Sequence, residues 1–145
     1  MGEPARLFCD GASSGNPGDS GIGAVLYYAD TVVEISEYIG TTTNNVAEYT
    51  ALIRGMTEAR RRGISELAVC TDSELVVRQL EGRYRVKSPH LAALYNEATT
   101  LIRSFGSVTI RHVRREQNAR ADALAKAASL QKNIPPGLPR KKMHS

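Results

Sequence analysis

Three strand-like segments follow one another at the start of this chain before any helical period appears. That succession limits the folds open to it. "ARLFCDG" (5–11) is an apolar run stopped by "GASSGNPGDSG", a stretch dense in turn-forming residues. "IGAVLYYA" (22–29) and "TVVEISEYIG" (31–40) are separated by a short link at Asp30, so they pair as an antiparallel hairpin. The period then changes. In "TTNNVAEYTALIRGM" (42–56), Val46, Tyr49, Ile53 and Met56 recur at helical spacing, Leu52 widens the face, and Gly63 stops the helix. "ELAVCT" reads as a buried strand and "DSELVVRQLEG" as a short helix. "SPHLAALYNEATTLIRSFG" is a helix with Ser88 as N-cap and Pro89 in its first turn. "SVTIRHV" is a fifth strand, and "NARADALAKAASLQ" a last helix capped by Asn118. Strands one to three, then strands reached through helices, give an α/β fold: a mixed sheet with helices packed on it and right-handed crossovers.

A chain of 145 residues favours one domain. The natural boundary falls before "NIPPGLPRKKMHS", so residues 1–132 form the domain and 133–145 a flexible basic tail. No apolar run is long enough to cross a membrane, and the N-terminus lacks a signal-peptide pattern, so the expectation is a cytoplasmic monomer. Cys9 and Cys70 have no metal-type spacing. Strand alternation puts Cys9 on the face away from Asp10, and Cys70 on that of Asp72, so two free buried thiols are expected. Net charge is +4, but residues 103–145 alone carry +8 and the remainder −4. A basic third beside an acidic body points to a polyanion partner.

Four carboxylates fall at strand ends and helix starts. Asp10 ends the first strand, Glu48 opens the first long helix, Asp72 follows the fourth strand, and Asp122 lies in the last helix's first turn. Each has an ordinary explanation: an Asx turn for Asp10, an N-cap for Asp72, a dipole partner for Asp122, and for Glu48 a capping box with Asn45. Together they converge on one edge of such a sheet, where ligands usually bind. Gathered carboxylates repel, and hard divalent cations relieve the repulsion, which points to Mg²⁺ or Mn²⁺. Two such ions can clamp a phosphodiester.

"CDGASSGNPGDSGIGAVL", "TTNNVAEYTAL", "TDSELVV" and "NARADALAKAA" together resemble the type 1 ribonuclease H family, from about Leu7 to Ala128. The resemblance implies a ribonuclease H-like fold. Its five-stranded sheet has order 3-2-1-4-5, with strand 2 antiparallel and helices on both faces. It implies endonucleolytic hydrolysis of the RNA strand of RNA–DNA hybrids, leaving 5′-phosphate and 3′-hydroxyl ends. Asp10, Glu48, Asp72 and Asp122 match the family's catalytic, metal-binding carboxylates, holding two ions when substrate is bound. Asn16, Thr43, Asn44 and Asn45 match its hybrid contacts, Asn16 and Thr43 at a DNA phosphate and the asparagines partly at 2′-hydroxyls.

The chain departs from the family in two places. A single helix fills the region where many members carry a Lys- and Trp-rich protrusion, and Trp is absent. "GRYRVKSPH" and "RHVRREQNAR" are the basic segments left to grip DNA. No Gly-rich loop precedes the last carboxylate; His112 and Glu116 stand as possible auxiliary groups, with a plain sheet-edge histidine as the alternative for His112. Two rival functions stay open: a non-cleaving module for hybrids or double-stranded RNA, and a resolvase- or integrase-type nuclease of the same fold. Cleavage of duplex RNA is open as well.

Overall fold

A computed structural model describes residues 4–131. Strands β1 (Ala5–Gly15), β2 (Gly18–Tyr28) and β3 (Thr31–Thr42) are followed by α1 (Asn44–Arg61), β4 (Glu66–Thr71), α2 (Glu74–Leu80), α3 (Pro89–Arg103), β5 (Ser107–His112), a 3₁₀ turn at Arg115–Asn118, and α4 (Ala119–Ser129). The five strands form one sheet in the order β3-β2-β1-β4-β5. β2 runs antiparallel to β1 and β3, while β4 is parallel to β1 and β5. Among the described residues no helix is long and apolar enough to cross a membrane. The proposed tail, 133–145, lies outside the described residues.

Strand alternation divides the core. Leu7, Cys9, Ile22, Ala24, Leu26, Leu67 and Val69 form one cluster with Tyr49, Leu52 and Met56 of α1 and Ala98 of α3. Tyr49, Leu7, Leu26, Leu52 and Met56 are fully buried, each contributing roughly 1.5–3 kcal/mol through removal of apolar surface from water. The opposite face of β2 carries Gly21 and Gly23, and α4 lies directly on them. Helices therefore cover both faces, with α1 and α3 on one and α4 on the other.

Two local expectations differ from what is found. The turn-rich "GASSGNPGDSG" is mostly strand: the β1–β2 ladder continues through Ser13↔Ser20 to Gly15↔Gly18, leaving only Asn16 and Pro17 as the loop. The Ser13 and Ser20 hydroxyls lie 2.7 Å apart across it. α1 presses close at Gly11 and α4 at Gly21, where only a bare Cα fits, and backbone pairing outweighs the weak strand propensity of these small residues. The N-cap of α1 is Thr43 rather than Asn45: its Oγ1 accepts from the Val46 N–H at 3.3 Å. Glu48 is then the fifth helical residue, beyond the reach of a capping box.

Phe8 pairs with Cys70 between the parallel strands, so Cys9 points to the opposite face from Cys70. Both thiols are free and buried, and Cys9 Sγ donates a long 3.8 Å hydrogen bond to the Cys70 carbonyl. Burial pushes both thiols up, the Cys9 thiol strongly, with nearby carboxylates adding to it.

Candidate active site at the end of the parallel strands

The β1–β4 ladder stops at Phe8↔Cys70, and β1 runs on without a neighbour on that side. Asp10 lies in this extension, and Asp72 is the residue immediately after β4. The divergence of two parallel strands thus opens a gap with a carboxylate on each bank. Gly11 brings in the third. A Cβ there would stand 2.4 Å from the Ala47 carbonyl carbon and 2.5 Å from the Glu48 nitrogen, so only a bare Cα lets α1 approach β1 this closely. Gly23, paired with Asp10 in the ladder, does the same for α4: a Cβ would meet the Ala121 carbonyl oxygen at 2.2 Å. That contact sets the first turn of α4, which carries Asp122. Asp10, Glu48, Asp72 and Asp122 all line one cavity of about 360 Å³, together with Asn44, Arg115 and Lys126.

The carboxylates are not equivalent. Asp10 is buried, and its Oδ1 accepts from the Gly11 N–H at 2.9 Å. Burial, a hydrogen bond shared with Asp122, and the charges of Asp72, Asp122 and Glu48 push it up to about 8. Asp122 goes the other way: burial raises it, but the hydrogen bonds from Asp10 and Lys126 and the charges of Lys126 and Arg115 outweigh that. Lys126 Nζ stands 3.1 Å from Asp122 Oδ2. The two neighbouring carboxyls are thus pushed in opposite directions, Asp10 up and Asp122 down. Burial pushes Glu48 up to about 7, opposed by a hydrogen bond to Ser73 and reinforced by the charge of Asp72. Asp72 Oδ1 accepts from Asn118 Nδ2 at 3.2 Å.

Among the described residues, no three His, Cys, Asp or Glu side chains are drawn tightly enough together to form a ready-made cation cage. The donor chemistry is nonetheless that of a hard cation: four carboxylates line one cavity, and burial with mutual repulsion pushes Asp10 and Glu48 up. A divalent cation held there would relieve the like-charge strain.

The expected substrate residues sit at the start of α1. Asn16 Oδ1, in the β1–β2 loop, accepts from the Asn44 N–H at 3.1 Å. Thr43 spends its hydroxyl on the helix cap. Asn44 lines the carboxylate cavity, and Asn45 follows at the next helical position, half-buried. The structure does not bring His112 or Glu116 to the cavity. His112 ends β5, exposed, opposite Thr71 and near Glu74; Glu116 is exposed in the 3₁₀ turn. The cavity's basic lining comes from Arg115, within the basic segment "RHVRREQNAR", and from Lys126, which the sequence did not mark out from the other basic residues of the C-terminal third. For Lys126 a signal existed, its i,i+4 spacing from Asp122.

Residues 8–128 match the family described as Reverse transcriptase-like. The Bifunctional protein Rv2228c of Mycobacterium tuberculosis is 46% identical over 122 residues, 82% of this chain and 34% of that protein. Its N-terminal RNase H domain, solved as a fusion with maltose-binding protein, superposes with a TM-score of 0.84 at 44% identity, covering 88% of this chain and 99% of that one. Ribonuclease HI of Halobacterium salinarum is 40% identical over 129 residues, 88% of this chain and 65% of that protein. The chain thus spans only part of the length of these curated relatives. LC11-RNase H1, solved in complex with an RNA/DNA hybrid, is 40% identical, with a TM-score of 0.80 over 86% of this chain and 95% of that one. Sequence and fold agree over the stretch that carries all four carboxylates, from β1 to α4, and the chain belongs to the ribonuclease H family.

Proposed function

We propose that this chain is a divalent-metal-dependent endonuclease that hydrolyses the RNA strand of RNA–DNA hybrids, leaving 5′-phosphate and 3′-hydroxyl ends. The observation that carries the reading is the convergence of Asp10, Glu48, Asp72 and Asp122 from four separate stretches of the chain on one cavity with basic side chains on its wall. Asp10, Glu48, Asp72 and Asp122 would hold Mg²⁺ or Mn²⁺, two ions when substrate is bound; the metal supplies Lewis-acid polarisation of the phosphate and a nucleophilic water at neutral pH. The protein's own part is positioning. Asn44, held through its backbone by Asn16, offers an amide that can donate to and accept from a 2′-hydroxyl. That group tells RNA from DNA. Arg115 and Lys126 offer positive charge to the phosphates. LC11-RNase H1, whose solved complex contains an RNA/DNA hybrid, supports the same substrate here. We place the protein in the cytoplasm as a monomer.

The test is a substrate panel. Labelled hybrid, duplex DNA and duplex RNA are incubated with the chain in Mg²⁺, in Mn²⁺ and in chelator. The expected result is RNA-strand cleavage of the hybrid with either ion and none in chelator. Intact RNA at stoichiometric protein would leave a binding module, and cleavage of duplex DNA would point to a resolvase-type nuclease.

A further inference from the structure

Asn118 is 1% exposed and stands at the N-cap position of α4, where an Asn normally accepts a hydrogen bond from the helix's own first-turn amides. It makes no such bond. Its Nδ2 donates instead to the Cys9 carbonyl at 2.9 Å, 109 residues away in sequence, and to Asp72 Oδ1 at 3.2 Å, 46 residues away. Both partners can only accept, so the amide orientation is fixed: a flipped amide would oppose oxygen to oxygen at both. The Asn118 Oδ1 is buried and has no hydrogen-bond partner among the described residues. An unpaired buried acceptor is unfavourable, and a purely apolar side chain here would avoid it. What the amide gains is its reach. One side chain ties the peptide preceding Asp10, the carboxylate of Asp72, and the start of the helix whose first turn carries Asp122.

We propose that Asn118 is a positioning residue for the acidic site. It acts on Asp72: with Oδ1 held by the amide, the carboxylate is fixed in one rotamer and Oδ2 is the oxygen presented to a cation. The same bonds tie Asp72, which lies beyond the last β1–β4 ladder pair at Phe8↔Cys70, to the peptide before Asp10 and to the start of the helix that carries Asp122. This rests on the metal-dependent reading given above. It assigns to Asn118 a role separate from the helix capping that its sequence position indicates.

The test compares Asn118→Asp, which keeps the shape and loses both donors, and Asn118→Ser, which shortens the side chain, with the parent chain. Three quantities are read: melting temperature in chelator, the Mg²⁺ concentration giving half of the Mg²⁺-induced rise in melting temperature, and kcat and KM on hybrid. Loss of a group that orients a metal ligand typically costs 10–100-fold in metal affinity or activity. The expected result is a Mg²⁺ midpoint raised about tenfold or more, kcat lowered in the same range, and KM within about twofold, in whichever variants remain folded. A Mg²⁺ midpoint within about twofold of the parent's in a folded variant overturns the proposal and leaves Asn118 a structural residue. If the parent is stabilised by Mg²⁺ but does not cut hybrid, the hydrolytic reading fails while the midpoints still decide the role of Asn118. If Mg²⁺ does not stabilise the parent at all, the positioning role falls with it.

Discussion

Asp10 shows how one residue carries the conflict built into the site. Its pKa is raised in the folded state above the ordinary value of about 3.9. The folded chain therefore binds a proton that the unfolded chain has released between roughly pH 4 and 8. Stability from this group is present at low pH and lost as pH rises through that window. D10N cannot titrate and removes the repulsion. In chelator, its melting temperature relative to the parent should rise from pH 5 to pH 8, while cleavage is abolished at both. Thermal melts and a cleavage assay check this. A large loss of melting temperature at pH 8 would make Asp10 structural. The four carboxylates were legible in the sequence because each sits at a strand end or helix start, a placement the polypeptide pattern reveals. Asn118 was legible only as a cap, and Arg115 was one arginine among several. The directions of their side chains depend on the 3₁₀ turn at Arg115–Asn118, which leaves little periodic signal.

At the scale of elements, the site depends on how closely helices approach the sheet. Gly23→Ala would drive a methyl into the Ala121 carbonyl and the Ala125 nitrogen, at 2.2 and 2.6 Å, both backbone atoms of α4. Such overpacking costs about 1–3 kcal/mol. The expected fall in melting temperature is roughly 3–12 °C for a domain this size. Because α4 must move outward, carrying Asp122 with it, kcat should fall further than the loss of folded protein explains. A melt and a kcat measurement on the same preparation separate the two effects. The sequence revealed the elements and their order, since hydrophobic period marks them well. It concealed the true length of β1 and β2, because Gly11, Ser13, Gly15, Gly18 and Gly21 read as turn formers. They are strand residues here, and at Gly11 and Gly21 the reason is a helix that arrives only in the tertiary structure.

The whole molecule is electrically divided, and hybrid binding should reflect that. If the basic C-terminal third neutralises about four phosphates, the log–log slope of affinity against salt should be roughly −3 to −4. Fluorescence anisotropy with a labelled hybrid, in Ca²⁺ or in chelator to prevent cleavage, measures it. A flat response would remove the electrostatic part of the reading. The carboxylates at 10, 48, 72 and 122 come from four separate stretches of the chain, and the last of these, α4, docks on β2 near the end of the described residues. No contiguous fragment ending before α4 holds all four. A chain still being synthesised accordingly lacks a complete acidic site until α4 has left the ribosome and seated itself on the sheet. One proteolytic cut that frees α4 takes Asp122 away from the other three carboxylates.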